Sequence, residues 1–129
     1  MSEISNAAFW QMICQSAESH AAQAAANCRR EYSALIRKES KRFCEQGAPQ
    51  TNSELTQRHT QALYLTSKIS AIAHADLMAR SNPSVAAEIL EATRNFVEGL
   101  GLNDSPFAES IQLTSAISLL GHSAMMQRA

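Results

Sequence analysis

The 129-residue chain has no glycine or proline before Gly47, and none again between Pro49 and Pro83. These two residue types most often end a helix, glycine through its backbone freedom and proline through its missing N–H and its ring. Long stretches without them, rich in alanine, point to helix, because alanine has the highest helix propensity. The pattern predicts an all-α chain forming a single domain over residues 1–129, with four helices.

The first helix is expected over residues 6–46, with Ser5 or Asn6 as N-cap and Gly47-Ala48-Pro49 as the stop. Thr51-Asn52-Ser53-Glu54 reads as a capping box, so a second helix is expected over 52–81, antiparallel to the first as a long hairpin. Asn82-Pro83 and Ser105-Pro106 each place a capping side chain before a proline suited to the first helical position. They predict shorter helices over 83–99 and 106–125, the former ended by Gly99 and Gly101.

Trp10, Cys14, Ala17, Ala21, Ala24, Cys28, Tyr32, Leu35 and Phe43 recur in helical steps along the first segment, a stripe that narrows to alanine in its middle. Leu55, Ala62, Leu65, Ile69, Ile72 and Ala73 do the same in the second. An unbroken helix of about forty residues is roughly 60 Å long, about twice the width of a small domain. Another copy of the chain is one way to cover such a length, so a homo-oligomer is expected.

The net charge of −1 and a pI near 6.4 argue against a surface built as a whole for nucleic acid. Local charge is uneven: Arg29, Arg30, Arg37, Lys38, Lys41 and Arg42 are six of the eleven basic residues. The plain reading is a solvated helix face. The sharper one is a contact for an anionic surface or an acidic protein; nucleic acid ranks below these because no aromatic side chains interleave for base stacking. Phe9 and Trp10 add bulky apolar groups near the start and complete the set of candidate partner contacts.

Chemistry is hard to find in this sequence. None of His20, His59, His74 and His122 has a metal-ligand partner at helical spacing, so neither a metal nor another cofactor is expected. No Gly-x-Ser-x-Gly elbow is present, and Gly99-Leu100-Gly101 lacks the lysine of a phosphate loop, so no catalytic residues are assigned. Cys14, Cys28 and Cys44 are odd in number and widely spaced, which fits a reducing cytoplasm; on one helix Cys14 and Cys28 would stand about 21 Å apart. No secretory leader and no apolar run near the roughly twenty residues of a membrane span are expected.

Arg29-Arg30-Glu31-Tyr32-Ser33-Ala34-Leu35, the break from Gly47 to Thr51, and Glu54-Leu55-Thr56-Gln57-Arg58 leading into a second amphipathic helix resemble a phasin over roughly residues 6–80. The resemblance implies a bacterial protein that coats polyhydroxyalkanoate granules with a helical hairpin and forms oligomers. A fainter likeness, through Phe9-Trp10-Gln11 and the Ala-rich segment after it, is to R-body proteins. Both imply a non-catalytic assembly or binding protein. A protein-binding adaptor, chaperone or inhibitor acting through an amphipathic face is the alternative.

Overall fold

The computed structural model describes residues 5–99 and is all-α, with no strand among the described residues. Four α-helices follow in order: α1 (Asn6–Ala26), α2 (Arg30–Cys44), α3 (Asn52–Ser81) and, after a 3-10 turn over Pro83–Val85, α4 (Ala86–Gly99). The expected helix over 106–125 lies outside the described residues.

Local signals place most boundaries. The Ser5 hydroxyl accepts from the Ala8 amide at 3.1 Å and starts α1. Thr51 accepts from the Glu54 amide at 3.1 Å, while the Glu54 carboxylate takes the Gln50 amide at 2.6 Å, one residue before the cap. Pro83 opens the short turn that leads into α4. The stop before α3 needs less from Gly47 than expected: α2 has already ended at Cys44, and Gly47 does not take a positive φ.

The main correction concerns the first helix. Residues 6–46 do not form one rod; the chain turns back at Asn27-Cys28-Arg29, so α1 and α2 pack antiparallel. The apolar stripe survives the fold, because its two halves face one another. Trp10 packs on Phe43 with ring centroids 5.1 Å apart, and the Cys44 thiol meets the Cys14 carbonyl at 3.8 Å. Ala21 and Ala25 sit buried between the helices, where small side chains permit close approach. The length that seemed to need a second copy is thus covered from within.

A backbone that leaves a helix without glycine or proline needs its freed groups bonded elsewhere. The Asn27 amide turns back to the Ala24 and Ala25 carbonyls. The Ser33 hydroxyl donates to the Ala25 carbonyl at 2.6 Å and lies 3.0 Å from that of Cys28. From α3, Arg80 donates to the Asn27 carbonyl, and Asp76 accepts the Arg29 amide at 3.2 Å. Asp76 is only 2% exposed and is balanced by Arg80 at 2.9 Å and, more loosely, by Arg29 at 4.0 Å. Its negative charge also lies at the start of α2, the positive end of that helix dipole.

Helix α3 runs parallel to α1 and antiparallel to α2, completing a three-helix unit around Tyr32, Ile36, Ile69 and Ile72. Helix α4 packs on α3 and α2 through Ile89 and Val97, with Val85 of the preceding turn buried beside them, and has no contact with α1. One side of the α1/α3 pair is therefore left without a covering helix among the described residues.

Replacing Asp76 with alanine strands the Arg29 amide and removes the partner of Arg80. Charge-assisted hydrogen bonds of this kind are worth about 1.5–3 kcal/mol, so a loss of about 2–3 kcal/mol is expected in urea unfolding, with faster amide exchange at residues 29 and 33. Gly47 behaves oppositely. A Cβ there meets nothing within 4 Å, so Gly47→Ala should raise stability by about 0.4–1 kcal/mol through the unfolded state, read as a higher unfolding midpoint.

Candidate functional site

The basic stretch of α2 is largely answered inside the chain. Lys38 pairs with Glu98 at 2.9 Å, Lys41 with Glu45 at 3.9 Å, Arg42 with Glu39 at 3.5 Å, and Arg29 with Asp76. The Lys38 ammonium holds the Glu98 carboxyl below its ordinary range. Arg30 and Arg37 are exposed and have no ion pair among the described residues. Two arginines with four internally paired cations make a poor cradle for an anionic surface, and the solvated-face reading is the one the geometry favours.

Phe9 and Trp10 part company in the fold. Trp10 is 6% exposed, wedged between Phe43 and the Arg58 guanidinium, which lies 5.1 Å from its ring centroid. It is therefore a core residue, and its role as a surface contact is corrected: the turn at 27–29 brings Phe43 over a ring that an unbroken helix would have left uncovered. Phe9 stays half-buried on the rim and meets the His59 ring edge-on at 5.5 Å.

Phe9 belongs to a groove of about 460 Å³ between α1 and α3, lined also by Met12, Ile13, Ser16, Ala17, His20, His59, Ala62, Leu65 and Thr66. Steps of three and four from His59 continue this face along α3 through Leu63, Thr66, Ser70, Ala73 and Leu77. Met12, Leu63 and Leu77 are 55%, 49% and 60% exposed, the large apolar side chains most open to solvent among the described residues.

Among the described residues this face carries no Asp, Glu, Lys or Arg from Met12 to Ala73, and the first fixed charge is Arg80, one helical step past Leu77. Glu18 is the one carboxylate or fixed cation in α1, and it points into the separate cleft between α1 and α2. From Leu55 to Ala75 in α3 the Lys, Arg, Asp and Glu residues are Arg58 and Lys68, and both are engaged inside the chain: Arg58 with Gln46 and the Gly47 carbonyl after α2 and against the Trp10 ring, Lys68 with Glu39 at 3.5 Å. Charge is thus concentrated on the α2 and α4 side. Water-facing helices ordinarily carry charged or strongly polar side chains, and loss of charge from an exposed patch is the compositional mark of an interface core. Sequence reasoning missed this face, although the scarcity of charge in residues 6–26 and 55–75 was the available signal.

No group of three or more His, Cys, Asp or Glu placed to hold a metal occurs among the described residues, and none of the helices described is long and apolar enough to cross a membrane. The thiols of Cys14, Cys28 and Cys44 are all pushed up chiefly by burial, Cys44 to about 12. A thiol held protonated is a poor nucleophile. No family model, no curated protein and no solved structure matches this chain.

Tyr32 is likewise pushed up to about 12, by burial first and by the negative charge of Asp76 second. Both Tyr32 and Cys44 bind their protons more tightly folded than unfolded, so the folded state gains from them below their ordinary values of 10.0 and 9.0 and loses that gain as pH rises toward 12. The urea midpoint should hold steady near neutrality and fall progressively above pH 9. Tyrosinate absorbance of Tyr32, isolated by comparison with Tyr32→Phe, should rise only together with unfolding.

Proposed function

We propose that the protein is a non-catalytic helical assembly protein of the bacterial cytoplasm that associates with a second copy of itself through the α1/α3 face. The observation that carries this reading is the pairing of exposed Met12 and Leu63 with the absence, among the described residues, of Asp, Glu, Lys and Arg from the surface around them. A charged face meets its own copy with like-charge repulsion; an uncharged one does not, which favours self-recognition about a two-fold axis. The size is adequate: α1 is roughly 31 Å long and two helices are roughly 20 Å wide, giving about 600 Å² per copy and about 1,200 Å² in total, at the lower edge of stable interfaces.

The resemblance to phasins supports the same class of function, since coating an inclusion also calls for an apolar, uncharged helical face. It makes a different prediction, because a coat needs a particle and a dimer does not. The paired cations of α2 leave an acidic partner with little to bind.

Sedimentation of the purified chain at high micromolar concentration is expected to give a dimer. Met12→Glu with Leu63→Glu should give a monomer of unchanged helicity, because both side chains face solvent in the single chain, with an unfolding midpoint that no longer rises with protein concentration as the wild type's does. A wild-type monomer at all concentrations, a dimer that survives the double substitution, or a monomer that moves onto polyester or oil particles would each overturn self-association in favour of another partner or none.

A further inference from the structure

The α1/α3 face lacks fixed charge, but it holds two groups that can acquire one. His20 and His59 both line the groove between α1 and α3, and both are exposed in the single chain. The His59 ring meets Phe9 edge-on at 5.5 Å, which sets it at the end of the groove where Phe9 lies. His20 follows Phe9 by about three helical turns, so it stands on the same side of α1 roughly 16 Å further along. The two imidazoles thus mark opposite ends of the groove, with Met12 and Ser16 between them.

Among the described residues, no carboxylate lines this groove to answer a proton on either ring. Glu18, two residues before His20, lines the cleft between α1 and α2 together with Arg37, Lys41 and Glu45. Arg58, beside His59 in α3, lies over the Trp10 ring, and Lys68 is held by Glu39. On the packed helices Glu98 takes Lys38, Arg42 lies by Glu39, Arg94 by Glu91, and Asp76 takes Arg29 and Arg80. Arg30, Glu31, Glu54, His74 and Glu88 are not among the groove's walls.

Burial in an interface favours neutral histidine, because the imidazolium loses its water. About a two-fold axis through the middle of the groove, two imidazoles come together at each end whichever way the copies run: either His20 beside His59, or each beside its own counterpart. Protons taken up there meet like charge and no acid. Separated chains keep both rings in water. The separated state therefore binds more protons than the dimer, so acid favours it, and histidine is the side chain that ordinarily makes this exchange between about pH 5 and 8.

We propose that His20 and His59 make the association of two copies pH-gated, holding the dimer together while they are neutral and releasing it when they take up protons. This regulation rests on the self-association reading and names the groups that reverse it.

Sedimentation of the full chain at about pH 7.5 and about pH 5.5, with far-UV circular dichroism at each, tests the gate. The wild type should associate at least about tenfold more weakly at the lower pH, with its helicity intact. His20→Gln with His59→Gln keeps polar side chains at these exposed positions and removes the titrating charge, so that variant should dimerise with the same strength, within about threefold, at both. A wild-type dimer of equal strength at both pH values, a double variant as acid-labile as the wild type, or helicity lost in step with dissociation would overturn the gate while self-association stands. A wild-type monomer already present at all concentrations at pH 7.5 would overturn self-association, and the gate with it.

Discussion

A single buried carboxylate allows the first half of this chain to turn back on itself. Asp76 has almost no contact with solvent, yet it holds the Arg29 amide and pairs with Arg80, which in turn reaches the Asn27 carbonyl. Those two backbone groups flank the turn that ends α1 and begins α2. The packing of Trp10 on Phe43 and the Cys14–Cys44 contact at the far end both depend on that reversal. Burying a charge is costly, and it is tolerated here because two arginines and a backbone donor surround it.

The reversal also decides which surfaces remain. With α2 folded along α1, its charged residues come to lie beside α3 and α4, where Glu98 answers Lys38 and Lys68 answers Glu39, while Asp76 takes Arg29 just ahead of the helix. The uncharged sides of α1 and α3 are left together. The asymmetry between a charged half and an uncharged half is therefore a consequence of topology acting on a sequence whose charges are unevenly distributed along it. Neither half could have been recognised from one helix alone.

The sequence was legible where a local interaction decides the structure. Ser5 and Thr51 with Glu54 mark helix starts by bonds within four residues, and each was found in place; Pro83 opens its turn as expected, while the Asn82 side chain makes no cap bond. The core positions from Trp10 to Phe43 were legible as well, since periodicity reports which face is apolar. The break at 27–29 was not, because its stabilising groups lie about fifty residues away on α3 and the turn contains no glycine or proline to announce it. Asn27 and the hydroxyl of Ser33 were the local hints, and both residue types are also common inside and beside continuous helices. The pairing of several candidate contacts was hidden for a related reason. A basic residue read in isolation looks available, and its partner becomes visible only when Glu98 or Asp76 is brought alongside.

The correction changes the grounds for self-association. A 60 Å helix would have demanded an external cover simply by its length, whereas the folded-back chain satisfies its stripe internally and makes no such demand. What argues for a second copy is instead the character of the residual surface: Met12 and Leu63 open to water with no Asp, Glu, Lys or Arg within one helical turn of either. Exposed apolar residues scattered singly are ordinary on any protein. Met12 in the groove and Leu63 one helical turn from its His59 wall, on the side that α4 leaves uncovered, form the feature that a solvated helix pair has no use for.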